Sequence, residues 1–486
     1  MTVRPTSAWL ALLPCMAALL GCRPGQFDDL EDRAPIRVYE APEDFLGRRF
    51  GAVVTGFSGE LPDGTRVSRV AASGGADSSF AVLPVWTGGV DLGDPVFEGC
   101  ERASCEDVAE AGAALAGVPV FTSPSNLEEQ RMCVLLPVTT LDSPPTQRLR
   151  MLCETRTGTF EGIGSALGNI DLGASVVGLE TGDPVGFAVL GAPRAAMGTG
   201  AVVLMSRDGA DAPLETGDVL DLSDAMVSTT AELGADVAAA RVDDTRTWIA
   251  AAAPGMHRVV VAELTPDGMG GADTTVLGCF DAPAGAPGGF GSDVDLGDVD
   301  GDGLPDLAVG ADTSAAPAST YVFPGASLGG AAGCTDPDPD DDPATPLAVV
   351  SCEGRLDGLR EAACADSAFG SRVALGDLTG DGRHELLVAA PFATVEGEAE
   401  AGAVYVVPFD AGGGADVDRA DVLVHSTPEE GAELGAALAT VPSNLEDAPR
   451  DEVVAGMPGT DAVGIFLCSA LEGDTSDVGR RCIPGD

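Results

Sequence analysis

Two stretches of the chain are near copies of each other, and this repetition limits the possible folds more than any other feature. Phe290 to Ala311 reads FGSDVDLGDVDGDGLPDLAVGA, and Phe369 to Pro391 reads FGSRVALGDLTGDGRHELLVAAP. Each holds Phe-Gly-Ser, an alternating apolar stretch, an acidic Gly-rich loop, a second apolar stretch and a small-residue turn. Alternation with period two predicts strands. Weaker copies follow the same plan. Phe50-Gly51-Ala52 leads to Val70-Ala71-Ala72-Ser73, and Ala111-Gly112-Ala113 leads to Val134-Leu135-Leu136-Pro137. Ile163-Gly164-Ser165 leads to Leu190-Gly191-Ala192-Pro193, and Leu233-Gly234-Ala235 leads to Ala252-Ala253-Pro254. Leu434-Gly435-Ala436 leads to Ala455-Gly456-Met457-Pro458. The starts near 50, 111, 163, 233, 290, 369 and 434 lie about 64 residues apart on average. A third strand is expected after most of them, at 200–205, 258–264, 320–323, 403–407 and 463–467. No convincing amphipathic helix intervenes. One such sheet cannot bury both its faces, whereas several packed around an axis bury them and leave few exposed edges. The 65 Gly and 34 Pro, with only 5% aromatic residues, suit many turns and short strands.

The loops inside the two best copies carry chemistry. Asp298, Asp300, Asp302 and Asp306 occupy positions 1, 3, 5 and 9 of the first, with Gly301 and Gly303 between them. Calcium takes six to eight oxygen ligands, several of them carboxylates and carbonyls. Glycines at positions 4 and 6 allow a turn tight enough to point the acids inward. Four carboxylates so close repel one another unless a cation sits among them. The expected Ca2+ ligands are the side chains of Asp298, Asp300, Asp302 and Asp306 and the carbonyl of Leu304. In the second loop the corresponding residues are Asp377, Thr379, Asp381, Glu385 and the carbonyl of Arg383, whose guanidinium is expected to point outward. With one carboxylate fewer, this site should bind more weakly. An EF-hand is excluded. It requires Glu at position 12 between helices, and the residues there are Val309 and Val388, inside apolar strand-like runs. The acidic Pro-rich run 336–343 is read as a solvated loop.

The pattern FG…DxDxDGxxD…GAP resembles the FG-GAP repeat, found in the seven-bladed β-propeller of integrin α-subunits and in related bacterial surface proteins. The resemblance implies an all-β fold, a seven-bladed β-propeller over residues 36–468, with six or eight blades as alternatives. It also implies that an N-terminal strand closes the ring on the last blade, a part that Ile36-Arg37-Val38-Tyr39 can play.

The N-terminus reads as an address. Arg4 precedes a run of thirteen apolar or small residues from Ala8 to Leu20. That is too short to span a bilayer, which takes about 20 residues, but it fits the core of an export signal. Leu19-Leu20-Gly21-Cys22 resembles the lipobox of bacterial lipoproteins. The expectation is a signal peptide at 1–21, lipidation at Cys22, a polar tether at 22–35 and a C-terminal tail at 469–486. Membrane attachment would then run through the lipid anchor, and a residue other than Asp after Cys22 favours the outer membrane of a Gram-negative cell envelope. Ten further cysteines remain. An even number in an exported chain argues for disulfides, and pairing in chain order gives Cys100–Cys105, Cys133–Cys153, Cys279–Cys334, Cys352–Cys364 and Cys468–Cys482. No CxxC supports zinc.

The formal charge is −51 and every basic residue is Arg. Phosphate binding needs clustered cations, so nucleic acid is excluded as a partner. The three histidines (His257, His384 and His425) offer few candidates for a catalytic triad. There is no G-x-S-x-G elbow, and no phosphate loop is possible without Lys. The sequence therefore predicts a chain that is not an enzyme: a lipid-anchored, calcium-binding envelope protein that binds a protein or glycan and mediates adhesion. Two alternatives stay open, an envelope hydrolase or lyase with an acidic pocket in the central channel and a purely structural protein.

Overall fold

The structure is a computed structural model. It describes residues 36–41, 49–60, 66–74, 79–84, 96–99, 108–111, 114–121, 130–140, 147–154, 160–165, 175–179, 188–205, 218–225, 227–267, 271–283, 288–311, 318–327, 334, 345–359, 361–443 and 450–467. The expected signal peptide, Cys22, the tether and the tail lie outside these residues.

The strands form antiparallel sheets whose members follow one another along the chain. Six are regular and four-stranded. The first runs Val53–Glu60, Arg66–Ser73, Ser79–Pro84 and Val96–Gly99. The third runs Val176–Gly178, Ala188–Gly191, Val202–Met205 and Asp218–Val219, and the fourth Val237–Arg241, Thr247–Ala253, Arg258–Pro266 and Ala272–Asp281. The fifth runs Phe290–Gly297, Asp306–Ala311, Ser319–Phe323 and Ala348–Ser351, and the sixth Val373–Gly376, Glu385–Ala390, Ala403–Val407 and Asp421–Leu423. The seventh joins Leu438–Pro442, Asp451–Met457 and Ala462–Phe466 to Ile36–Glu40, which pairs antiparallel with Ala462–Phe466. The second sheet is irregular and five-stranded, with Gln130–Thr140 paired to Ala116–Phe121, Val108–Ala111 and Gln147–Glu154. The leading strands neighbour one another in a closed circuit: Val53–Glu60, Ala116–Phe121, Val176–Gly178, Val237–Arg241, Phe290–Gly297, Val373–Gly376, Leu438–Pro442, and back to Val53–Glu60. This is a ring of blades as read from the repeats, with six regular blades, one of the expected alternatives to seven, and the irregular sheet between the first and third.

One repeat start needs correction. Ile163 does not open the third sheet; it lies in Phe160–Ser165, which pairs with Gln147–Glu154 as part of the second. The third sheet opens at Val176–Gly178, after Leu172-Gly173-Ala174 in the sequence.

The core lies in the seams between sheets. Val322 and Val350 of the fifth sheet pack in one cluster with Leu386, Val388 and Tyr405 of the sixth. Leu387 and Val404 of the sixth join Val453 and Phe466 of the seventh. Val54 and Val70 of the first join Val454 and Ile465 of the seventh. Every residue of Thr247–Ala253 and of Glu385–Ala390 is buried, and beyond Thr247 and Glu385 at their starts these strands are continuous apolar runs instead of alternating ones.

The seams explain the glycines of the repeat. A Cβ on Gly310 would stand 2.4 Å from the carbonyl oxygen of Gly370, and one on Gly456 would stand 1.8 Å from that of Gly51. The turn glycine of one sheet thus packs on the Phe-Gly glycine of the next. Gly51 and Gly370 themselves adopt φ of +92° and +85°, where L side chains are strained. The last of these contacts joins the seventh sheet to the first and so helps close the ring.

Among the described residues two disulfides are present, Cys279–Cys334 and Cys352–Cys364. The second ties the end of the fifth sheet to a small two-stranded element, Ala362–Ala363 with Thr394–Val395. Cys133 and Cys153 stand directly opposite each other across paired strands. Cys100, Cys105, Cys468 and Cys482 lie outside the described residues. No helix among the described residues is long and apolar enough to cross a membrane.

Candidate metal centre

Both acidic loops connect the first two strands of a sheet, and strands flank each on both sides. Gly301 and Gly303 sit at φ +81° and +85°, and Gly380 and Gly382 at +75° and +86°. These left-handed positions curl each loop around the carboxylate at position 1. Asp298 accepts hydrogen bonds from the N–H groups of Gly301 (2.6 Å) and Gly303 (2.8 Å). Asp377 accepts them from Gly380 (2.6 Å) and Gly382 (2.9 Å).

In the first loop, carboxylate oxygens of Asp298, Asp300 and Asp306 all lie within 4.8 Å of one another. Asp302 stays exposed outside this trio, and its Oδ1 accepts the N–H of Leu304 at 2.8 Å. Three of the expected side-chain ligands therefore converge. Asp306 is fully buried, and both its oxygens already accept main-chain N–H groups, from Val299 (2.8 Å) and Gly325 (2.7 Å). Burial pushes its carboxyl up to about 6; those two N–H groups oppose the rise, and Asp300 and Asp298 add to it. An all-oxygen set of hard donors fits calcium better than a softer metal.

The second loop differs. Among the described residues, Asp377, Asp381 and Glu385 do not form a comparably close trio. The Arg383 guanidinium folds back and donates from Nη2 to Asp381 Oδ2 at 2.8 Å. This corrects the expectation that it points outward: in a loop with this many acids, the nearest carboxylate captures it. Burial raises the Asp381 carboxyl, but Arg383 more than reverses this and holds it below its ordinary value. Glu385 is buried and accepts the N–H of Leu378 at 2.9 Å; burial, reinforced by Asp377 and Asp381, pushes it up to about 8. The Thr379 hydroxyl is shielded from solvent and reaches no partner at hydrogen-bonding geometry, although it helps lower Asp381.

Sequence reasoning missed a second set of acids. Asp236 accepts the N–H of Val294 (2.8 Å), Asp293 that of Val373 (2.7 Å), Asp295 that of Leu375 (2.8 Å) and Asp451 that of Asp377 (2.9 Å). Each carboxylate reaches from one leading strand or its neighbour across a seam to satisfy a main-chain donor that lacks a strand partner. Burial raises all four, Asp295 to about 6. Two of the four carry a signal in the sequence, the position after Phe-Gly-Ser or Leu-Gly-Ala: Asp236 and Asp293 stand there, and the next repeat places Arg372 there, whose Nη1 lies 3.7 Å from Asp293 Oδ1. Trp248 is buried and donates to Glu263 at 3.1 Å. His257 closes a 3-10 turn in a left-handed conformation, and His425 Nδ1 is bonded within the turn to Thr427.

A family model described as FG-GAP repeat matches residues 290–323 and 369–407. These spans hold the first three strands of the fifth and sixth sheets and both acidic loops. No curated protein sequence matches the chain. Among solved structures, a luciferin-regenerating enzyme is similar over 82% of this chain and 99% of its own, at 15% identity and a TM-score of 0.37. The expectation that the chain is not an enzyme is corrected on this finding and withdrawn: missing catalytic motifs do not by themselves exclude catalysis. At that identity and score the likeness assigns no activity. The disulfides fit an exported chain. The two matched repeats stand on adjacent blades of a closed ring, and the chain is an FG-GAP-repeat β-propeller.

Proposed function

We propose that this propeller is a calcium-binding, lipid-anchored protein of the bacterial cell envelope with a display role: calcium stiffens the loops of the fifth and sixth sheets, and the ring presents its connecting loops to a protein or glycan ligand in adhesion. The observation that carries the calcium reading is the convergence of Asp298, Asp300 and Asp306 in one glycine-curled loop. Leu304 would add its carbonyl. Asp302 lies close in sequence and can complete the set through its second oxygen. The second loop offers Asp377, Thr379, Asp381, Glu385 and the Arg383 carbonyl, with the Arg383 guanidinium competing for Asp381. A rigid scaffold that shows its variation in loops suits binding. Export, lipidation at Cys22 and attachment to the outer membrane follow the signal-like N-terminus.

Calcium uptake by the metal-free protein, followed by equilibrium dialysis, tests the reading. Uptake is expected at neutral pH and should weaken as pH falls through about 6, because protons return to Asp306 and compete with the ion. Failure to take up calcium at any pH up to 8 contradicts it.

A further inference from the structure

The two acidic loops touch. The backbone N–H of His384 donates to the carbonyl oxygen of Asp298 at 2.7 Å, and His384 Nδ1 lies 3.1 Å from the same oxygen. A carbonyl only accepts, so Nδ1 carries the proton in this contact. His384 is position 8 of the second loop, between Arg383 and Glu385, and Asp298 is position 1 of the first. The neighbouring residues reinforce the contact. A Cβ on Gly301 would stand 3.1 Å from Cδ of Arg383, and one on Gly297 would stand 3.1 Å from Cγ of His384. The side chains of residues 383 and 384 thus fill space that two glycines of the first loop leave open. The same main-chain link recurs one seam on, where the N–H of Asp451 donates to the carbonyl of Asp377 at 2.8 Å.

We infer that the two calcium sites are energetically linked and that His384 is the positioning residue that links them. The inference rests on the calcium reading. With the Arg383 carbonyl and Glu385 as ligands on either side of His384, the 383–385 segment would be fixed when the second loop is loaded. His384 is then held where its two donors grip Asp298, and the first loop is ordered before its own ion arrives. Ordering supplied by one ligand lowers what the next must order, which gives positive cooperativity, and linkage requires the effect to be reciprocal.

The test is calorimetric titration of calcium into the full metal-free chain, comparing wild type, Asp381→Asn, His384→Ala and the double variant. Asp381→Asn weakens the second site and is expected to lower first-loop affinity about five-fold, at the low end of common coupling factors. In the His384→Ala background, where only the main-chain donor to Asp298 remains, the same change should lower first-loop affinity by clearly less. His384→Asn, which restores a donor near Nδ1, should recover the coupling; a purely structural role for the ring would not predict this rescue. Equal effects of Asp381→Asn with and without His384, or two independent sites in wild type, overturn the inference while calcium binding stands. No calcium heat in any protein instead overturns the calcium reading and the inference with it.

Discussion

Gly456→Ala is expected to destabilise the protein by about 3 kcal/mol, the upper range for overpacking a tight contact. The added methyl would meet the Gly51 carbonyl at 1.8 Å and the Gly51 carbonyl carbon at 2.8 Å. Backbone on the far side cannot rotate away as a side-chain tip can, so the seventh and first sheets must separate locally. That seam also carries the Phe50 N–H bond to Asp461 Oδ1 and the Arg49–Glu433 ion pair, both of which hold the ring closed. Gly288→Ala is the control, because its Cβ would meet nothing within 4 Å and its φ is not left-handed. Urea denaturation of the two variants should show a large loss for Gly456→Ala and a negligible one for Gly288→Ala. Similar midpoints would show that the seam is looser than the glycine contacts require.

Asp306→Ala should cost about 3 kcal/mol even without metal. Its two oxygens satisfy the N–H groups of Val299 and Gly325 in a buried setting, and orphaning buried donors costs about 1–3 kcal/mol each. Asp306→Asn retains one acceptor and should lose less. Asp300→Ala removes only a bond to the N–H of exposed Asp302, so in chelator it should lie within about 0.5 kcal/mol of wild type. Chelator-treated unfolding curves separate these cases. If Asp306→Ala and Asp300→Ala are equally mild, the carboxylate at position 9 has no structural role apart from the ion.

These two roles of Asp306 show what the sequence disclosed and what it did not. The spacing 298, 300, 302, 306 was readable because a metal loop needs carboxylates at fixed offsets, and offsets are a one-dimensional property. The leading and central strands were readable for a related reason: Phe-Gly and Gly-Ala-Pro mark where backbones meet across a seam, as Gly310 and Gly370 do. Ile163-Gly164-Ser165 imitates that signal without lying at a seam, so the third blade was placed too early. Outer strands were harder to see. Apart from Ala272–Asp281 they are short, and they tolerate exposure, as Val219 and Val349 show at 58% and 49%, so neither periodicity nor small residues single them out. Arg383 turning onto Asp381, and His384 reaching Asp298, depend on which side chain meets which neighbour across the fifth and sixth sheets. No spacing within one repeat encodes that.

The most direct test of the account is thermal unfolding of wild type and Asp300→Ala in saturating calcium and in chelator. An ion bound only to the folded state adds about 2.7 kcal/mol at about 100 times its Kd. The account predicts that calcium raises the melting temperature of wild type and that Asp300→Ala keeps only the smaller increment of the second loop, while both proteins melt alike in chelator. A wild type that melts at one temperature with and without calcium, or an Asp300→Ala variant that gains as much as wild type, contradicts it.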